Sequence, residues 1–286
     1  MKKTSLFLLA LMPALALAQQ AQPAAAPAAV AAAGEVAPNA DDASRLVGLQ
    51  GALNARDLGG LKGTHGAVPS DRFIRTADLS RLTDADKATL AKRGVALDID
   101  LRTTDEATKA PDALANDPRF KYVRISLMGD KPLDMSHMPG SLGVLYAKAL
   151  DEDQAQFKQV FEAMAAQKDG AVLYHCSAGK DRTGMISALL LSLAGVKRDD
   201  IVHNYAISAY YLKPMMSAPQ TAAMLKQNPA LAPLMGTPPE AMAQFLDALQ
   251  KQYGGAQAYL RKIGVSDSDV QVLVTRLGQP QVAVAK

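Results

Sequence analysis

The residues best suited to chemistry are grouped in His175-Cys176-Ser177-Ala178-Gly179-Lys180-Asp181-Arg182-Thr183-Gly184, which holds the only cysteine of the chain. A thiol, five residues, an arginine and a hydroxyl meet the needs of phosphoryl transfer. That reaction requires a nucleophile in line with the leaving group and donors around three non-bridging oxygens. A tight loop ending at a helix N-terminus aims backbone N–H groups at an anion and adds the positive end of the helix dipole. The small residues Ser177, Ala178 and Gly179 let the backbone close around it. The same field favours the thiolate, the attacking form of cysteine. Arg182, planar and always charged, can hold two phosphate oxygens at once. An inert core thiol is the plain alternative for a lone cysteine. Such a thiol has no use for a glycine, a lysine, an aspartate and an arginine within six positions.

Such a loop needs a strand to end and a helix to begin. The apolar run Ala171-Val172-Leu173-Tyr174 leads straight into His175, and Met185 to Ala194 has the length and composition of a buried helix ended by Gly195. Val95 to Leu101 reads as a strand, and Tyr122 to Leu127 as a partly exposed one. Thr83 to Arg93 reads as a helix with an acidic first turn and a basic last turn, closed by Gly94. Residues 53–60, 62–66 and 73–75 read as short strands joined by a glycine-rich hairpin turn. A further helix is expected from about Asp151 to Gln167. Beyond Gly195 the chain reads as helices with proline-rich connections such as Gly236-Thr237-Pro238-Pro239. The fold class is therefore α/β, a central mostly parallel sheet flanked by helices, with an N-terminal hairpin and a C-terminal helical cap.

The 286 residues are 49% hydrophobic and 21% charged, enough to bury a core without staples and too polar for a membrane bundle. One cysteine excludes an internal disulfide and a thiolate metal cluster. His65, His137, His175 and His203 show no metal-ligand spacing, so no metal and no other cofactor is implied. Without Lys2 and Lys3, 29 basic residues face 28 acidic ones, which excludes a strongly basic nucleic-acid binder. Met1-Lys2-Lys3, the apolar run Leu6 to Leu17 and the triplet Ala16-Leu17-Ala18 read as a secretory signal peptide over residues 1–18. A periplasmic or secreted protein follows. The run is too short for stable membrane insertion. Residues 19–44, rich in alanine and proline, read as a disordered linker, 45–278 as one folded domain and 279–286 as a flexible tail.

The cysteine loop resembles the phosphate-binding signature of cysteine-dependent protein tyrosine phosphatases. Its Gly-Lys-Asp-Arg-Thr-Gly form is similar to the bacterial secreted tyrosine and dual-specificity branch, some of which also act on phosphoinositides. Asn54-Ala55-Arg56-Asp57-Leu58-Gly59-Gly60 resembles that family's amino-terminal Asn-x-Arg-Asp-x-Gly-Gly motif, and Ile99-Asp100-Leu101-Arg102 its Asp-Leu-Arg strand end. Tyr253-Gly254-Gly255 through Tyr259-Leu260 and Ile263-Gly264 resembles its carboxy-terminal helical region.

The resemblance implies an exported enzyme that hydrolyses phosphotyrosine, with phosphoserine and phosphothreonine as wider targets, through a phosphocysteine on Cys176. Its partner would be a phosphorylated protein or a phosphoinositide. Arg182 and the N–H groups of Ser177, Ala178, Gly179 and Lys180 would bind the transferred group. Thr183 would donate to the sulfur, or would simply start the helix. The general acid stays open, because the chain has no tryptophan and hence no Trp-Pro-Asp loop. The resemblance favours Asp181, and Asp100 at a strand end is its rival; Asp130 and Asp134 fall in an expected surface loop. His175 is expected to orient the loop. Arg56 and Asp57 are expected to brace the hairpin against it through an ion pair, and Arg102 to do likewise. Lys180 would put a second cation at the mouth, where it could meet a neighbouring phosphate. That makes an inositol polyphosphate or phosphoinositide phosphatase the alternative reading, with a solvated surface lysine as its plain counterpart. A phosphate-binding module without catalysis is opposed by the intact Cys176 and Arg182. An arsenate reductase is opposed by the lack of a second cysteine, and a sulfurtransferase by the Gly-Lys-Asp-Arg-Thr string.

Overall fold

The computed structural model describes residues 36–130 and 141–278. The expected signal peptide, most of the expected linker, the tail, Asp134 and His137 lie outside the described residues. In chain order the elements are α1 (Ala40–Ser44), β1 (Arg56–Asp57), β2 (Lys62–Gly63), β3 (Gly66–Ala67), β4 (Phe73–Thr76), α2 (Asp84–Lys92), β5 (Val95–Asp100), α3 (Thr104–Lys109) and β6 (Lys121–Arg124). Then follow α4 (Leu142–Glu152), α5 (Gln154–Ala166), β7 (Ala171–His175) and α6 (Asp181–Leu193). The remainder is helical: α7 (Arg198–Ala206), α8 (Ser208–Tyr211), α9 (Lys213–Met216), α10 (Pro219–Gln227), α11 (Ala232–Met235), α12 (Pro239–Tyr253), α13 (Ala256–Lys262) and α14 (Asp267–Arg276).

An apolar strand such as Ala171-Val172-Leu173-Tyr174 belongs where both faces are covered, and β7 is buried along its whole length in the middle of the main sheet. The order is β1-β4-β7-β5-β6, with β1 antiparallel to β4 and the other neighbours parallel. The sheet is thus mostly parallel and flanked by helices, as expected. Thr76 and Asp100, the last residues of β4 and β5, both stand opposite His175, the last of β7. Three strands therefore end together where the cysteine loop begins.

Alternation along the strands divides the core. Val172, Tyr174 and Cys176 join Leu97 and Ile99 in the larger cluster, with Phe157, Phe161, Ile186 and Leu190. Leu173 joins Ile74, Leu79 and Leu90 in the smaller one on the opposite face. α6 is buried at every position from Arg182 to Leu191, as its apolar run requires. In the cap, α12 packs on α4 and α7, and α14 on α5. Among the described residues no helix is long and apolar enough to cross a membrane.

Three expectations change. The helix expected from Asp151 to Gln167 is two helices, because Asp153 leaves helical geometry (φ −114°, ψ 24°) and Leu142, Tyr146, Ala149 and Leu150 already form a buried stripe before it. Residues 40–44, expected at the end of the linker, form α1, which the Asn39 side chain caps. Asp42 within that helix is fully buried against Arg45 and lies 2.7 Å from His203 Nε2. β1 pairs with β4 inside the main sheet, whereas β2 and β3 form a separate ribbon. α14, which carries Val270 and Val274 into the core, is capped by the Ser266 side chain, in keeping with the expected helices.

Leu189 is fully buried in α6 between the sheet and the cap. Leu189→Ala should lower the unfolding free energy by about 2–5 kcal/mol, read as a lower denaturant midpoint at unchanged slope.

Candidate active site

A loop that turns its N–H groups inward must turn its carbonyls outward, and those carbonyls need donors. Asn54 Nδ2 donates to the carbonyls of Ala178 (3.2 Å) and Gly179 (2.9 Å). Arg75 Nη2 also reaches the Gly179 carbonyl, at 2.8 Å, and the Asp78 N–H reaches that of Ser177, at 3.1 Å. On the inner side, the N–H groups of Ser177, Ala178, Gly179 and Lys180 donate to no other group among the described residues. Gly179 has φ +64°, and a Cβ there would stand 2.4 Å from the Thr76 carbonyl oxygen, so only glycine fits. Cys176 is almost fully buried at the base of the loop, and α6 begins at Asp181.

Arg182 leaves the first turn of α6 and meets Glu106 of α3 in a two-pronged ion pair, Nη1 to Oε2 at 2.7 Å and Nη2 to Oε1 at 2.8 Å. Ser177 Oγ donates to the same carboxylate at 2.5 Å. Burial acts to raise Glu106, but the Arg182 hydrogen bonds and charge outweigh it and hold the carboxyl down at about 2. Nε of Arg182 makes no protein hydrogen bond among the described residues. The guanidinium is thus fixed in place with a face left over.

Behind the loop, His175 lies among Asp98, Asp100 and Asp112. Burial opposes its protonation, but these carboxylates outweigh burial and raise its pKa to about 10. Asp100 accepts from Arg102 N, Nε and Nη2 at 2.7–2.9 Å and from Tyr122 Oη at 3.0 Å. Burial raises it, yet His175 and Arg102 together hold it well below the usual carboxylate range. Asp100 is thus fully buried, with its oxygens engaged by Arg102 and Tyr122. Arg102 also pairs with Asp78, just after β4.

Asp181 keeps a partly exposed carboxylate, which accepts a hydrogen bond from the buried Tyr146 hydroxyl; that hydroxyl lies 2.9 Å from Tyr205 Oη. Asp130 is tied to Thr104 and Ser126. Thr183 Oγ1 is buried without a hydrogen-bond partner. Lys180 does not stand at the mouth. It is buried, with Nζ donating to the carbonyls of Leu234 (2.6 Å) and Gly236 (2.9 Å). The expected Arg56–Asp57 ion pair is not made either. Successive strand residues point to opposite faces, so Arg56 donates to Asn54 Oδ1, Asn204 O and Ser208 Oγ, while Asp57 accepts from Gly59 N, Asp71 N and Arg93.

Sequence reasoning missed Glu106, Arg75, Asn204 and Tyr146. Glu106 carries a local signal only as the third helical residue of the Thr103 capping box; nothing in the sequence points it toward Arg182.

A buried thiol at the base of a loop whose N–H groups lack acceptors, with a fixed arginine at the start of the following helix, is an arrangement suited to phosphoryl transfer. The sequence model of the tyrosine phosphatase family matches residues 47–279. A tyrosine-protein phosphatase of Nostoc commune is 52% identical over 227 residues, covering 74% of this chain and 76% of its own. The triple specificity protein phosphatase PtpB of Mycobacterium tuberculosis is 27% identical over 275 residues, covering 78% of this chain and 95% of its own. The chain belongs to the tyrosine phosphatase family.

Glu106 gives the site a pH signature. Its folded pKa of about 2 lies below the 4.5 of an unperturbed glutamate, so the Arg182 pair contributes stability above pH 4.5 that is lost as pH falls toward 2. Unfolding free energies followed down through that window should drop more steeply for the unaltered chain than for Glu106→Gln, by on the order of 3 kcal/mol. Parallel curves would exclude the pair as the cause.

Proposed function

We propose that the chain is an exported phosphatase that hydrolyses phosphotyrosine on proteins through a phosphocysteine intermediate. What supports this most is the set of N–H groups from Ser177 to Lys180 without acceptors, arranged around Cys176 and closed by Arg182. A phosphoryl group satisfies these donors in its transition state, when charge gathers on its equatorial oxygens. The Cys176 thiolate attacks phosphorus as the bond to the tyrosyl oxygen breaks. Asp181 gives that oxygen its proton, with Tyr146 holding the carboxyl in position. Water then attacks phosphorus while Asp181 takes a proton back, and the S–P electron pair returns to sulfur. The unpartnered Thr183 hydroxyl is the donor available to the departing thiolate. Export rests on the Lys2-Lys3 start, the apolar run and the Ala16-Leu17-Ala18 triplet.

The inositol reading drew on Lys180 as a free cation. Its buried ammonium is held by two carbonyls and the Asp181 carboxylate, so the phosphotyrosine reading is the better supported. A panel of p-nitrophenyl phosphate, phosphotyrosine peptide, soluble inositol phosphates and phosphoinositides separates the two. The aryl substrates should be turned over and Cys176→Ser should fall to background. Activity that survives in Cys176→Ser excludes the covalent route, and much faster turnover of inositol substrates excludes the phosphotyrosine assignment.

The acid has its own test. Asp181→Asn should slow an alkyl phosphate by about 10²-fold or more and an aryl phosphate much less, since the better leaving group needs less protonation. Equal losses on both would assign Asp181 to loop structure alone.

A further inference from the structure

On the face of the sheet opposite Cys176, three buried side chains converge and leave their polar atoms unanswered. They are Asp98 in the interior of β5, Asp112 in the connection between α3 and β6, and His175 at the end of β7. Neither oxygen of Asp98, nor Oδ2 of Asp112, nor Nε2 of His175 has a hydrogen-bond partner. His175 Nε2 lies 3.0 Å from Asp112 Oδ2 and 3.8 Å from Asp98 Oδ1, and one ligand atom from each residue falls within 4.8 Å of the others. A carboxylate in the middle of a central strand with both oxygens unpaired is among the most costly groups a fold can bury. The adjacent Arg102 does not answer Asp98, because its hydrogen bonds go to Asp100, Asp78 and the Ala110 carbonyl, although its Nη2 lies 3.8 Å from Asp112 Oδ2.

We propose that Asp98, Asp112 and His175 bind a divalent transition-metal ion, zinc being the best fit. One imidazole nitrogen and two carboxylate oxygens are zinc donors, and a bound water would complete the four ligands of its tetrahedral preference. Magnesium and calcium fit poorly, since they call for six or more oxygens. The surroundings orient the ligands as metal sites require. His175 Nδ1 faces the Cys176 carbonyl at 3.4 Å, which leaves Nε2 to the ion, and Asp112 Oδ1 is fixed by the Leu114 N–H at 2.7 Å. The ion displaces the proton from Nε2 and clamps β5, the α3–β6 connection and β7 together behind the loop. Its role is structural, since the ligands lie on the face of the sheet away from the thiol.

The purified full-length chain, stripped with a chelator, should take up one equivalent of Zn²⁺ in calorimetry and melt at a higher temperature once loaded. Co²⁺ should give the visible bands of a tetrahedral nitrogen and oxygen site without thiolate charge transfer. Cys176→Ser should retain uptake, while Asp98→Asn and Asp112→Asn should each weaken it at least tenfold. Asparagine keeps the shape of the acid, so both variants should retain the native circular dichroism spectrum; if one fails to fold, the other carries the test. Three results would overturn the proposal. Absence of uptake leaves the cluster holding protons only, unchanged uptake in the asparagine variants places the ion elsewhere, and loss in Cys176→Ser places it on the thiol.

Discussion

An anion loop is a backbone turned inside out. If the N–H groups of residues 177–180 point at one centre, their carbonyls point into the protein, and every one that is buried needs a donor. The surrounding structure follows from this demand. Asn54 and Arg75 hold the outward carbonyls of Ala178 and Gly179. They are held in turn by Arg56 on Asn54 and by the Asn204 side chain on Arg75. The Asn-x-Arg string near the start of the folded part therefore exists for a loop more than 120 positions away. The antiparallel pairing of β1 with β4 brings Arg56 and Arg75 into register.

The same scaffold answers an electrostatic question. Arg182 is neutralised by Glu106, and a neutralised pair attracts a phosphate ester weakly. Arg56 and Arg75 are different. Both are fully buried, and the hydrogen bonds of their guanidinium groups go to neutral oxygens of Asn54, Asn204, Ser208 and Gly179. Burial pulls both below the usual arginine range, and Arg75 lowers Arg56 further. Two cations beneath the loop, poorly screened in a low dielectric, add to the positive end of α6.

The cysteine, the arginine and the strand and helix on either side of them were legible because the loop is local: its residue types, spacing and flanking apolar runs lie within one short stretch. The mostly parallel sheet was legible for a similar reason, through recurring strand and helix patterns. What failed was long-range. Arg56 and Asp57 look like an ion pair in sequence, yet strand alternation sends them to opposite faces. Glu106 looks like a helix-start carboxylate and is that, while also fixing Arg182. Asp98 is a conspicuous charge inside the apolar run Val95 to Leu101, and only the fold shows that Asp112 and His175 meet it.

Lys180 is the most instructive departure. A lysine between a glycine and an aspartate on an anion loop looks like an added phosphate ligand. Its stem is buried, however, and its three donors require oxygens close at hand. The carbonyls of Leu234 in α11 and Gly236 just after it supply two, and the Asp181 carboxylate lies 3.3 Å away. Thr237 extends the attachment by donating to the Ala206 carbonyl at the end of α7. The helical cap is therefore fastened to the catalytic loop itself and not only to the sheet.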